Sequence, residues 1–204
     1  QNWEEEYIGF MKGIGFESGI ASPCPFYHQD RGIRAVVHGD DFILLGHRDD
    51  LDWFKRQMEI KFDIKHKRMG ANPGDEKSVR ILNRVVSYTN EGIEWEADQR
   101  HAEIIVKQMG LTEGSKGVVT PGIKMKFVEG ANDLEELEPA EASKFRGLVA
   151  RANYLSQDRG DIKFAVKELS RRMAKPRYRD VEALKRLARY LTGKPRMVTM
   201  FGKQ

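Results

Sequence analysis

The chain has 204 residues, 40% hydrophobic and 32% charged, enough for one large core or two small ones, and no apolar run approaches the roughly 18–20 residues a membrane span requires. Its formal net charge is only +4, yet residues 144–204 carry 17 Lys or Arg against 5 Asp or Glu, while residues 1–143 carry 18 against 26. A basic half of this size is either the footprint of a polyanion partner or the solvated surface of Lys- and Arg-rich helices.

Residues 2–15 place Trp3, Tyr7, Phe10 and Ile14 at helical spacing with acidic residues toward the start, and Gly13 and Gly15 end the helix. A chain that opens at Gln1 inside such a pattern is expected to be a fragment or processed piece. A first strand is predicted over roughly 24–28. It begins at Cys24, the single cysteine, which points to a reducing compartment.

The stretch "RAVVHGDDFILLG", residues 34–46, then sets Asp40 and Asp41 between two apolar and β-branched runs, predicting strand, tight turn at Gly39 and second strand. Two carboxylates at a hairpin tip read either as a solvated Gly-Asp turn or as a metal-binding pair on a rigid sheet. Gly39 leaves room for a nucleotide or primer backbone to approach.

A second helix is predicted over roughly 50–60, with Leu51, Phe54 and Met58 on one face and Asp49 or Asp50 as its cap. Residues 67–77 read as a loop, and 78–97 as a hairpin turning at Asn90-Glu91-Gly92. From Asp98 the pattern is helical only. One helix starts at a capping Asp98 and stops at Gly110, and a polar connection covers about 111–137. Three more helices follow near 140–157, 161–174 and 179–192, with apolar faces at Phe145, Leu148, Val149 and Ala152, at Ile162, Ala165, Val166 and Leu169, and at Leu184, Leu187 and Leu191. The expected fold class is α+β, mixed over 1–97 and all-α over 98–193. His28, His38 and His47 lack zinc-ligand spacing with Cys24 or one another, and no Walker-type loop occurs.

From about residue 1 to residue 195 this pattern resembles the reverse transcriptase of copia-type LTR retrotransposons, with the matching pieces in the family's order. "QNWEEEYIGFMKGIGFESGIASPCPFY" looks like the segment leading to the catalytic hairpin, and "AVVHGDDFILLG" is similar to the family's Tyr-x-Asp-Asp hairpin. "ILNRVVSYTNEGIEWEADQRHAEIIVKQMGL" is similar to the primer-grip hairpin entering the first thumb helix, and "VVTPGIK" to the short Thr-Pro connection. The thumb block resembles "FRGLVARANYLSQDRGDIKFAVKELSRRMAKP" continued by "ALKRLARYLTGKPR". His38 stands where the family has tyrosine, giving a Gly-Asp-Asp run like that of RNA-dependent RNA polymerases, a reading the thumb block contradicts. Asn83 stands for a usual glycine and tolerates a left-handed backbone. Arg159-Gly160-Asp161 stands for Arg-Pro-Asp, with Asp161 reading as a helix cap.

The resemblance implies a partial polymerase palm over 1–97, an all-α thumb bundle over 98–193 and, over 194–204, the start of a connection toward a ribonuclease H domain. It implies nucleotidyl transfer by two metals, with Asp40 and Asp41 as catalytic and metal-binding carboxylates, Asp40 foremost, and with Mg²⁺ as the ion and Mn²⁺ as the alternative. His38 and Gly39 would lie where primer and nucleotide approach, and Leu82, Asn83 and Arg84 in the primer grip. Arg171, Arg172, Lys175, Arg177, Lys185, Arg186 and Arg189 would face the nucleic-acid backbone.

The implied partners are an RNA or DNA template with its primer duplex, deoxynucleoside triphosphates, and the rest of a Pol polyprotein (fingers, ribonuclease H, integrase), with no membrane. The implied location is a cytoplasmic virus-like particle, or the nucleus. A further metal-binding carboxylate belongs to an upstream palm strand, so the segment alone is expected to be inactive. The alternative is a non-catalytic nucleic-acid-binding remnant of a retroelement.

Overall fold

A computed structural model describes residues 2–112, 114–123 and 135–203, so part of the predicted polar connection lies outside the described residues. The fold is α+β, and the chain divides into two compact units at 66/67 rather than near 97.

In the first unit, α1 (Trp3–Gly13) is capped by the Asn2 side chain, which accepts from the Glu4 amide. Strands β1 (Glu17–Ser18), β2 (Pro25–His28), β3 (Ile33–His38) and β4 (Asp41–Leu45) form an antiparallel meander in chain order, followed by α2 (Arg48–Lys61). Burial alternates strictly along β3, so Ile33, Ala35 and Val37 face the core while Arg34, Val36 and His38 face outward. The helices cover that inner face with Tyr7, Phe10 and Met11 of α1 and Phe54 and Met58 of α2, and edge-on aromatic pairs such as Tyr7–Phe26 and Phe16–Phe54 fill the core. The α2 cap differs from the prediction. The helix begins at Arg48, His47 precedes it without a side-chain cap bond, and Asp49 and Asp50 lie in the first turn, where Asp50 pairs with Arg31 at 3.0 Å.

In the second unit, β5 (Ser78–Ile81), β6 (Arg84–Tyr88) and β7 (Gly92–Ala97) form two consecutive hairpins. The predicted turn after Tyr88 is present, and an unpredicted one falls at Leu82-Asn83, with φ of +47° and +61°, the glycine-poor form of a type I′ turn. Helices α3 (Arg100–Gln108), α4 (Pro139–Leu155), α5 (Lys163–Ser170) and α6 (Tyr178–Gly193) follow, and every apolar residue predicted for the last three helices is buried, with Ile162 in the turn just before α5. The Asp98 carboxylate does cap α3, accepting from the Arg100 amide at 3.0 Å. The last segment, expected to start a connection, forms β8 (Val198–Gly202), which runs antiparallel to β7 and completes a four-stranded sheet. Gly92 permits this, because a Cβ there would strike the Phe201 carbonyl oxygen. Among the described residues no helix is long and apolar enough to cross a membrane.

Asp161 also departs from its predicted role. It sits in a 3-10 turn (Gly160–Ile162) and caps nothing with its side chain. Instead, Arg159, only 2% exposed, grips it bidentately at 2.9 and 2.7 Å and donates to the carbonyls of Pro195 and Lys194 at 3.0 and 2.9 Å. The Tyr190 hydroxyl donates to the same carboxylate at 2.9 Å. Burial pushes the Asp161 carboxyl up, but the hydrogen bonds and charge of Arg159, with the Tyr190 hydroxyl, outweigh it and hold the group below the usual carboxylate range.

Arg159→Leu strands this carboxylate and two carbonyls and is expected to cost roughly 3–5 kcal/mol in urea unfolding. A carboxyl depressed on folding stabilises the native state fully above its unfolded value of about 4 and loses that contribution as pH falls through its lower native value. Urea midpoints of the parent and Asp161→Asn are therefore expected to differ at pH 7 and to converge below about pH 4. A gap that persists undiminished in acid contradicts this account.

Candidate functional site

The β3–β4 register pairs His38 with Asp41 and leaves Gly39 and Asp40 as a two-residue loop. Gly39 takes φ +63° and Asp40 keeps an ordinary negative φ, the type II′ pattern with glycine first, whose twist suits the flanking strands. A Cβ on Gly39 would meet nothing within 4 Å, so backbone conformation rather than space calls for glycine. Asp40 and Asp41 are both exposed, and Asp41 shares the outer sheet face with His38, Val36 and Ile43. Solvation makes two adjacent carboxylates tolerable here, since water screens a repulsion that a buried site would not.

Trp3, which its spacing assigns to the core, is instead 40% exposed and lies against the hairpin turn. Its Nε1 donates to the Gly39 carbonyl at 2.7 Å while its ring meets Phe42 and Phe62 edge-on. Helix α1 thus holds the turn that carries the carboxylates.

Among the described residues no three His, Cys, Asp or Glu side chains converge as a metal site. Asp40 and Asp41 nevertheless offer the hard oxygen donors Mg²⁺ takes, an ion commonly held by one or two carboxylates, with waters and substrate phosphates completing its shell.

A second polar cluster forms in the other unit around the Leu82-Asn83 turn. Asn83 Nδ2 donates to the Tyr154 hydroxyl at 3.2 Å, and Arg84 donates to Asp158 and to the Leu82 carbonyl, each at 3.0 Å. Trp95 Nε1 reaches the same Asp158 oxygen at 3.3 Å. His101 packs against Tyr154 at 4.9 Å between ring centroids, and its Nδ1 lies 3.1 Å from Arg151 Nη1. Burial, then the charges of Arg151 and Arg100, against a smaller opposing pull from Asp98, hold His101 below the usual imidazole range. The neutral ring can therefore accept from Arg151, which has no acceptor of its own. Tyr154, His101 and Arg151 carried no sequence signal, because only the tertiary fold brings them to the turn.

The seven basic candidates separate by partner. Arg172 and Lys185 are exposed and enter no ion pair among the described residues. Arg171 and Lys175 are exposed with loose pairings to Glu168 at 3.3 Å and Glu136 at 3.8 Å. Arg177 precedes α6 and its amide donates to Asp180. Arg186 donates to Thr120 at 2.8 Å and Arg189 to the Lys116 carbonyl at 2.9 Å, so both brace the segment before residue 123.

Over 196 residues, 95% of its length, the chain is 26% identical to the retrovirus-related Pol polyprotein from transposon RE1 of Arabidopsis thaliana. Over 199 residues, again 95%, it is 26% identical to the corresponding polyprotein from transposon RE2 of the same plant. It spans only 12% and 13% of those polyproteins. A 94-residue stretch, 46% of the chain, is 32% identical to an uncharacterized mitochondrial protein of Arabidopsis thaliana and covers 37% of it. No protein-family model matches the chain, and no solved structure matches it significantly. The similarity supports a fragment derived from a retroelement Pol polyprotein.

Gly39→Ala, forced into the left-handed region, is expected to cost about 1–2 kcal/mol. Trp3→Phe keeps a ring but loses the bond to the turn, at about 1 kcal/mol. Hydrogen exchange in Trp3→Phe should quicken at residues 39–42 and not along β2. Unchanged exchange at the tip would show that the indole does not hold the turn.

Proposed function

We propose that this chain supplies the catalytic hairpin, primer grip and thumb of an RNA-directed DNA polymerase of a copia-like retroelement. The observation that carries this reading is the Gly39-Asp40 turn, which presents two exposed carboxylates from a hairpin whose inner face is packed under two helices. Similarity to retrotransposon Pol polyproteins along 95% of the chain supports it.

Asp40 and Asp41 would hold Mg²⁺, or Mn²⁺ in its place, which when bound supplies Lewis-acid activation of a primer 3′-hydroxyl and neutralises charge on the incoming triphosphate. The packed hairpin holds the backbone that carries both carboxylates. Gly39 admits a primer or nucleotide backbone beside Asp40, with exposed His38 facing the same approach. Strand β4 is an edge of its sheet, and the further carboxylate would arrive on a strand from outside residues 1–204. The Leu82–Arg84 turn, braced by Tyr154 and Asp158, would hold the primer. Arg171, Arg172, Lys175 and Lys185 have the freedom to meet duplex phosphates, which positions the duplex without reading bases. Partners outside the chain would be the template–primer duplex, deoxynucleoside triphosphates and the remaining Pol domains, in a virus-like particle in the cytoplasm or in the nucleus.

Purified 1–204 is expected to bind template–primer duplex and to extend no primer, and joining the upstream segment of such a polymerase should restore extension. In that longer protein Asp40→Asn should lower extension more than about 100-fold, in line with the loss of a charged transition-state contact, with duplex affinity nearly unchanged. Robust extension by 1–204 alone contradicts the incomplete site, and failure of the restored protein to extend favours the binding remnant. Replacing Arg172 and Lys185 together with Gln should flatten the slope of log affinity against log salt for duplex by about 2. An unchanged slope would remove both from the duplex contact.

A further inference from the structure

The corner between α4 and α5 carries an open depression of about 750 Å³, within the range of small-ligand sites, that none of the residues nominated from the sequence lines. The end of α4 contributes Asn153, and Gln157 follows it; the outward side of α5 contributes Lys163, Phe164 and Lys167. The helical period that buries Ala165, Val166 and Leu169 turns Phe164 out, leaving the residue 71% exposed. Lys167 Nζ lies 5.5 Å from the centre of that ring.

The carboxylates nearest in sequence are already engaged. Asp158 holds Arg84 and Trp95, Asp161 holds Arg159 and Tyr190, and Glu168 lies 3.3 Å from Arg171 and 4.0 Å from Lys167. Lys163 enters no ion pair among the described residues. The depression therefore combines a largely exposed aromatic residue with the Lys167 ammonium over its ring, a second ammonium at Lys163, and two side-chain amides able to donate and accept.

That combination selects among polyanions. In a duplex the bases stack on one another and offer no face to a ring, whereas an unpaired base does, and sequence-tolerant stacking beside lysines is how single strands are held. An apolar protein partner would cover Phe164 but leave both ammonium groups desolvated and unpaired. We propose that the α4–α5 depression binds an unpaired nucleotide of a single-stranded nucleic acid, its base stacked on Phe164, its flanking phosphates on Lys163 and Lys167, and its base edge against the amides of Asn153 and Gln157. This rests on the nucleic-acid-binding reading above and extends it from duplex to single strand.

The test measures anisotropy of labelled oligothymidylate, oligouridylate and a blunt duplex with the 1–204 chain. The two single strands distinguish a DNA from an RNA ligand by which binds more tightly. Phe164→Ala is expected to weaken single-strand binding about tenfold and Phe164→Trp to restore it, with duplex affinity changed less than about twofold. Lys163→Gln with Lys167→Gln should flatten the single-strand salt slope by about 1.4. Phe164 is exposed, so neither ring variant disturbs the core, and a melting temperature equal to the parent's verifies that. Single-strand affinity indifferent to Phe164→Ala, or an equal loss for single strand and duplex, overturns the inference while the nucleic-acid reading stands. Failure of the parent chain to bind either form overturns both.

Discussion

A guanidinium removed from water must find acceptors for its N–H groups, and the way Arg159 does so organises the second unit. Its fork closes on Asp161 at 2.7–2.9 Å, and its remaining donors reach the Lys194 and Pro195 carbonyls just beyond α6. One side chain thereby fixes both the corner between α4 and α5 and the point from which β8 runs back to β7. Asp158, one residue earlier, is held where Arg84 and Trp95 can use it, which couples the sheet to α4. A pair this enclosed is costly to desolvate and more costly to break, so its value lies in specifying one arrangement of the corner.

The other unit reaches its rigidity differently. Its core is a set of edge-on rings between two helices and one sheet face, and its polar specialisation is concentrated at a single turn. Trp3 joins the two, with its ring among Tyr7, Phe42 and Phe62 and its N–H on the Gly39 carbonyl. The outer sheet face stays open, showing Tyr27, Val36 and Leu45 beside His38 and Asp41. An apolar face continuous with two carboxylates suits a large ligand laid across the hairpin better than a small enclosed substrate, in keeping with the polymerase reading.

Local chemistry was legible wherever it decided the outcome alone. The aspartate hairpin and the apolar stripes of α4, α5 and α6 follow from alternation and helical spacing, since each pattern buries one face whatever else the chain does. At Leu82-Asn83 the sequence shows only that Asn83 tolerates a left-handed backbone, and the Asn83–Tyr154 and Arg84–Asp158 contacts accompany the turn that forms there. Asp49, Asp50 and Asp161 read locally as caps because aspartate ahead of a helix commonly serves that way. Arg31 and Arg159 claimed Asp50 and Asp161 instead.

The two periodicities, the position of the carboxylate pair and the concentration of positive charge toward the end of the chain were all set by the order of the amino acids. These depend on neighbours a few residues apart, and no distant contact can reverse them. Which cations stay free and which brace the fold, and the return of residues 198–202 to the sheet, were settled only by tertiary structure. Each of those outcomes depends on a partner tens of residues away, and a linear pattern carries no record of which distant group arrives.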